Sequence, residues 1–304
     1  MTPNDYSKYQ GFFDKVIRDY HGDETGSKKH ETNWVVPTNM DYDVTKLGLD
    51  ELSMRVRVGR NLIGFNLPGK MSKEERIRFE LRMLPAFDQL MEKYGGKVNS
   101  LTPNFGDNKP NPNLISKEEY KVLVDKHVMF KDMAADPFLN SAGISNDWPF
   151  GRGCWQSDDK MRIIWFGEED QLRIMCMKKG SDLLEVFTNL NEMLDTVGSI
   201  DGIEFAKDEN YGYITSCPSN LGTGMRASVH VKVPNLTADG TDSKAKEVCK
   251  PLGLSVRGTG GEHTPIGADG TVDISPSSRL FIKESEIIEK LYDGIKKLMA
   301  VENA

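Results

Sequence analysis

The chain has 304 residues, 38% hydrophobic and 28% charged, with a formal net charge of −7. That length supports one large domain or two small ones with a substantial core, and no apolar run approaches the roughly 18–20 residues of a membrane-spanning helix. An acidic balance excludes a general nucleic-acid binder, which carries a basic excess; an arginine cluster in such a chain is a local exception suited to a small anion. Cys154, Cys176, Cys217 and Cys249 are scattered, with neither C-x-x-C nor zinc spacing, as expected of free thiols in a reducing cytoplasm. The first residues lack the order of a signal peptide.

Tyr9, Phe12, Phe13, Val16 and Ile17 follow helical spacing, and His21-Gly22 ends the pattern. Residues 23–33 are charged and weakly patterned, and read as a linker or wrap-around arm. A strand follows over L-S-M-R-V-R-V. Leu52, Met54, Val56 and Val58 take one face, and Ser53, Arg55 and Arg57 the other. Two arginines on one strand face repel each other unless an anion lies between them. Ser72-x-x-Glu75 predicts a capping box for a helix to about Tyr94, with Pro85 as a kink point. After an Asn/Pro-rich loop over 106–112, Ser116-x-x-Glu119 caps a helix running toward His127.

R-I-I-W-F and Q-L-R-I-M-C-M flank Glu168-Glu169-Asp170 and predict a hairpin with an acidic turn. Gly180-Ser181 opens a helix with Leu183, Leu184, Phe187, Leu190 and Leu194 as its apolar stripe. From Thr215 to Val233, Cys217 stands before a Pro/Ser/Asn/Gly loop. A strand then alternates Arg226, Ser228, His230 and Lys232 with Ala227, Val229, Val231 and Val233. A helix near Ser243–Lys250, a strand ending at Val256-Arg257, the loop R-G-T-G-G-E-H-T, V-D-I-S and a final amphipathic helix complete the chain. Antiparallel-type strands among helices, without βαβ alternation or repeat, predict an α+β fold.

Arg55, Arg57, Arg173, Arg226 and Arg257 all sit on a strand or at its exit. Singly, each could merely decorate a surface; as a set, three adjoin other reactive residue types. Guanidinium groups make bidentate contacts to phosphate, so the set suits a polyphosphate. The chain has no P-loop and no protein-kinase H-R-D or D-F-G. Glu169 in a tight turn and Glu262 in a glycine loop are solvated turn charges or, with a thiolate, a holder for a cation. Cys217 is a packing cysteine or, beside arginines, a thiolate. His127 and His230 are structural histidines or contacts to a purine or ribose. Trp165 reads as core.

C-P-S-N-L-G-T-G-M-R-A-S-V-H, S-M-R-V-R-V-G-R, W-F-G-E-E-D-Q-L-R, D-W-P-F-G-R-G and R-G-T-G-G-E-H-T together resemble the phosphagen (ATP:guanidino) kinases, from about Asp5 to the end. The resemblance implies a large, mainly antiparallel sheet flanked by helices, the phosphagen kinase catalytic domain of glutamine-synthetase-like type. It implies reversible transfer of the γ-phosphoryl of MgATP to a guanidino nitrogen, with Mg²⁺ held through the nucleotide and no protein metal ligand.

By that resemblance, Arg55, Arg57, Arg173, Arg226 and Arg257 clamp the phosphates, and Arg226 and Arg257 act in catalysis. His127 and His230 flank the adenosine, with backbone contacts from Ser53, Met54 and Val56, from Ala227, Ser228 and Val229, and from Gly258, Thr259, Gly260, Gly261 and Glu262. Glu169 and Glu262 orient the guanidinium, Glu169 as the favoured base, and the Cys217 thiolate balances its charge.

Gly167 and Gln171 replace the Asn and His usual beside the acidic triplet, and E-H-T after the glycines resembles arginine kinases. The implied partners are a guanidino compound, most readily L-arginine, and MgATP, in a cytoplasmic monomer or homodimer. Taurocyamine, lombricine or creatine, a protein-arginine kinase, and an idle nucleotide-binding form are the alternatives. Residues 1–45 are expected as the remnant of a small helical domain plus linker, and 46–304 as the catalytic domain.

Overall fold

A computed structural model describes residues 1–37, 41–107, 109–259 and 264–304. In chain order it contains α1 (Asp5–Lys8), α2 (Gln10–His21), β1 (Leu52–Arg60), α3 (Lys73–Tyr94), β2 (Lys97–Ser100), α4 (Lys117–Asp125), α5 (Pro137–Ser141), β3 (Gly153–Gln156), β4 (Arg162–Phe166) and β5 (Leu172–Gly180). There follow α6 (Leu183–Gly198), β6 (Lys207–Asp208), β7 (Gly212–Tyr213), β8 (Met225–Lys232), α7 (Ser243–Cys249), β9 (Leu254–Arg257), β10 (Thr271–Pro276) and α8 (Glu284–Glu302). Among the described residues, eight strands form one sheet in the order β2-β3-β4-β5-β1-β8-β10-β9. Every neighbouring pair is antiparallel.

Alternation of side chains gives this sheet two unlike faces. The apolar set Met54, Val56 and Val58 on β1, Ala227 and Val229 on β8, and Ile174 on β5 is buried in one core. α6 packs against β1 and β5, and α8 against β8 and β10. Burying a side chain of this size contributes about 1.5–3 kcal/mol, so register is fixed by this face. A one-residue slip would turn Arg55 and Arg57 into the core.

The opposite face is polar along β1, β8, β10 and β9, and is closed beyond β5 by a second core around Val128, Phe130 and Met133. Two strands with weak sequence signals, β2 and β3, extend the sheet under that cover.

The helix ends follow their capping chemistry. Ser116 and Glu119 form the full reciprocal box that opens α4. At α3, Ser72 accepts from the Glu75 amide, but the Glu75 carboxylate turns away to bind the backbone and side-chain nitrogens of Asn66. That half of the predicted box is therefore replaced by a tie to the preceding loop. α2 ends at Gly22 in the left-handed conformation, where a side chain would be strained.

Residues 23–33 form no helix or strand and follow the wrap-around alternative, held down by polar contacts. Asp23 and His30 are buried, His30 Nδ1 accepts from the Phe281 amide, and the Glu284 carboxylate accepts from the Asn33 amide. Tyr6 and Ile17 share a small core with Leu67, Tyr211, Ile214, Leu221 and Leu280. The weak hydrophobic patterning of 23–33 fits a tie that is largely polar.

Candidate active site

β1 and β8 place Arg57 directly opposite Arg226, and Arg55 opposite Ser228. Arg173 on β5 stands opposite Gly59, and Asp273 on β10 lies opposite both His230 and Arg257. Five arginines that are scattered in sequence thus share one sheet face. Like charges directly opposed are destabilising, and the guanidinium groups of Arg55 and Arg57 make no ion pair with a described residue. Burial, then the charges of Arg173, Arg55 and Arg226, drive the Arg57 pKa well below its usual value; burial and Arg226 lower that of Arg55. At 4 Å and an effective dielectric near 20, each unit charge pair is worth about 4 kcal/mol. A polyanion between these groups reverses the sign of that energy.

Two cavities open on this face. One, of about 420 Å³, is lined by Arg57, Glu169, Arg173, Arg226 and Arg257, with Tyr20, Ser219, Asn220 and Arg279 at its edge. The other, of about 770 Å³, is lined by Ser53, Arg55, His127, Glu168, Ser228, His230 and Thr259, with Met129, Trp165, Met175 and Met177 as apolar walls. Both lie within the usual range of small-ligand sites. The smaller is polar and cationic; the larger pairs polar groups with flat apolar surface.

Trp165, read from sequence as core, lines the larger cavity. Its indole nitrogen donates to the Val128 carbonyl at 2.7 Å, and the Arg173 guanidinium lies 5.1 Å from its ring centre. Val56, Ala227 and Val229 face the core, and the strands that carry them pair on both sides. They set the spacing of the polar residues between them and present no side chain to either cavity. Gly258 is buried and Thr259 exposed; Gly260, Gly261 and Glu262 lie outside the described residues.

The acidic turn divides its labour. Glu168 pairs with Arg173 at 2.7 Å, whereas Glu169 is 3.9 Å from the same group and faces the smaller cavity. Burial, then the charges of Asp170 and Glu168, push Glu169 up to about 7, where a carboxylate is suited to general-base work near neutral pH. Asp170 is buried and turned inward, accepting from Asn61 Nδ2 at 2.8 Å and from the Ser216 amide at 2.6 Å. A Cβ at position 59 would collide with the Asp170 carboxylate, which explains the glycine closing S-M-R-V-R-V-G. Cys217 is half-buried, its Sγ 2.9 Å from Ser219 Oγ, while Cys154, Cys176 and Cys249 are buried. Cys217 is not itself among the residues lining the smaller cavity, but its hydrogen-bond partner Ser219 is, with Asn220.

Asp273 is the charged residue of this site that sequence reasoning missed. Its carboxylate, 3% exposed, accepts from Arg226 Nη2 and lies 3.5 Å from His230 Nε2; Ser275 Oγ takes the Arg226 Nε at 3.2 Å. Burial works to raise the Asp273 pKa, but the His230 hydrogen bond and the charges of Arg226 and Arg55 outweigh it and hold the group below the usual range. The sequence held one signal, an aspartate at an otherwise buried strand position in V-D-I-S. The D-W-P-F-G-R-G block proves structural at its arginine: Arg152 is buried and donates to the carbonyls of Phe150, Ile144 and Asn146.

Converging arginines beside a neutral-range carboxylate are the equipment of a phosphoryl-transfer enzyme, in which positioning and charge stabilisation do the catalysis. The family model described as ATP:guanido phosphotransferase, C-terminal catalytic domain, matches residues 85–304. The chain is 37% identical over 305 residues to creatine kinase, testis isozyme, of Oncorhynchus mykiss, covering 98% of this chain and 74% of that one. It is 36% identical to arginine kinase of Haliotis madaka, covering 99% and 79%. The substrate-free duplicated taurocyamine kinase of Schistosoma mansoni superposes with a TM-score of 0.85 at 34% identity, over 99% of this chain and 40% of that one. This chain belongs to the ATP:guanidino phosphotransferase, or phosphagen kinase, family.

Proposed function

We propose that the chain transfers the γ-phosphoryl group of MgATP reversibly to the guanidino group of L-arginine, in the cytoplasm. The observation that carries this reading is Glu169, with a pKa of about 7, facing a cavity that Arg57, Arg173, Arg226 and Arg257 also line. In this assignment those arginines and Arg55 hold the nucleotide phosphates, and His127, His230 and Trp165 border the larger cavity as the place of the adenosine. Magnesium enters as part of the nucleotide substrate. Phosphate oxygens and water supply its ligands, as is usual for a nucleotide-bound magnesium.

The chemistry follows from charge. A guanidinium is not nucleophilic while fully protonated, and its proton is far too tightly held for a carboxylate of pKa about 7 to remove beforehand. The proton therefore passes to Glu169 as the nitrogen lone pair closes on phosphorus and the bond to the ADP oxygen breaks. The arginines offset the charge that grows on the leaving phosphate. In this assignment Glu262 orients the guanidinium together with Glu169, and Cys217 balances its charge.

L-arginine suits the smaller cavity better than creatine does. Among the described residues its lining is mainly polar, and the one aliphatic member, Val58, is fully buried, so none of them offers an apolar slot for an N-methyl group. We further assign residues 46–304 as the catalytic domain and 1–45 as the remnant of a small helical domain plus linker. A coupled assay of ADP release with L-arginine, creatine, taurocyamine and lombricine tests the proposal. Turnover with L-arginine supports it; nucleotide binding without turnover on any of the four overturns it.

A further inference from the structure

The first twenty-two residues touch the thiol loop at chosen points. Tyr6 in α1 is fully buried, and its hydroxyl donates to the Thr215 carbonyl at 3.0 Å, with the Ser216 carbonyl at 3.5 Å. At the other end of this segment, in the last turn of α2, His21 Nε2 lies 2.9 Å from the Pro218 carbonyl. A carbonyl can only accept, so the ring carries its proton on Nε2. Burial lowers the His21 pKa, which keeps the imidazole neutral in that form near pH 7.

From behind, Asp170 accepts the Ser216 amide, and within the loop Thr215 Oγ1 donates to the Cys217 carbonyl at 2.8 Å. Residues 215–218 are thus held by their backbone groups, one after another, by α1, α2 and the acidic turn. The loop needs this. Pro218, Ser219 and Asn220 form a single 3-10 turn with no side-chain cap, and none of the three is buried. Ile214 and Leu221 fix the ends of the loop in the small core, but the turn between them buries no side chain, so hydrogen bonds to its carbonyls decide where the thiol sits.

We infer that Tyr6 and His21 are positioning residues for Cys217, so that the first twenty-two residues are a working part of the transfer site. The inference rests on the proposed role of the thiol as partner to the guanidinium, and it adds the device that places it. Loss of the two anchors leaves the Thr215 and Pro218 carbonyls without these donors and lets the turn open away from the acidic turn. The nucleotide arginines, carried by strands, do not move with it.

The test uses the full chain with Tyr6→Phe, His21→Ala, the double variant, and His21→Gln, whose amide can donate to the same carbonyl. Cys217 is the half-buried thiol and the other three cysteines are buried, so alkylation by iodoacetamide reads its position without requiring turnover. In the double variant we expect alkylation at least fivefold faster, kcat with L-arginine at least tenfold lower, and the MgADP dissociation constant within twofold of the parent. His21→Gln restores both rates to within twofold. Alkylation and kcat unchanged in the double variant overturn the inference, as does a loss of nucleotide affinity in step with kcat. If the parent turns over no guanidino compound, the function proposed above fails, while the alkylation rates still decide the clamp.

Discussion

Asp273→Asn separates two roles that one carboxylate combines. The substitution keeps the shape and one acceptor oxygen but removes a buried negative charge that faces Arg226 and His230. Breaking one side of a buried ion pair costs about 3–5 kcal/mol. The retained acceptor and the Ser275 contact put this case near the lower figure. For a chain of this size that is a fall in Tm of about 5 °C.

Phosphate and the Asp273 carboxylate compete for the same guanidinium, so bound nucleotide returns part of the loss. If about 1.4 kcal/mol is returned, thermodynamic linkage requires the variant to bind MgADP roughly tenfold more tightly in its ground state. Turnover moves the other way. Arg226 loses the group that aims it, and misdirecting one charge-stabilising donor lowers kcat by tenfold or more. Thermal melts with and without saturating MgADP, nucleotide titration and steady-state kinetics measure all three quantities. Equal Tm losses with and without nucleotide, or weaker binding with kcat intact, would refute the competition.

Other outcomes follow from the same geometry. Glu169→Gln should lower kcat by about 10²–10⁴. It should also stabilise the fold at pH 8 by on the order of 2 kcal/mol, because the folded pKa of about 7 stands above the ordinary 4.5 and stability is lost as pH rises through it; melts and initial rates across pH 5–8 check both. Cys217→Ala should lower transfer while leaving nucleotide affinity near the parent, and Arg226→Ala should cripple that affinity; equal losses in a titration of both variants contradict the assigned roles.

His30 is held near 4, against an ordinary 6.5, by burial and then by Arg60 and Lys207. Its folded pKa is depressed, so its contribution is complete above pH 6.5 and is lost as pH falls toward 4, about 3 kcal/mol in all. Chemical denaturation of His30→Asn should show a flatter acid limb than the parent over that window.

The sequence legible by itself was the part governed by short-range rules. Period-two alternation in 52–58 and 225–233 places arginines on one face of each strand whatever the partner, because strand geometry alone decides it. Gly22, Ser116 and Glu119 end or begin helices through bonds that span four residues or fewer. The motif blocks carried the family, and through it the arginine set and Glu169, since those residues lie inside the blocks.

What only the tertiary structure decided depends on which strands lie side by side. Nothing local says that Asp273 stands opposite both His230 and Arg257, for its partners come from different strands. Nor does 1–45 announce its purpose. With few apolar residues at regular spacing, 23–33 read as a linker or wrap-around arm, and only the structure shows Tyr6, His21 and His30 tying this part of the chain by hydrogen bonds to residues roughly 200 or more positions away. Periodicity reports the burial of surface and is silent about such long-range polar ties. The first turn of the chain meets the thiol loop only after the sheet has brought them together.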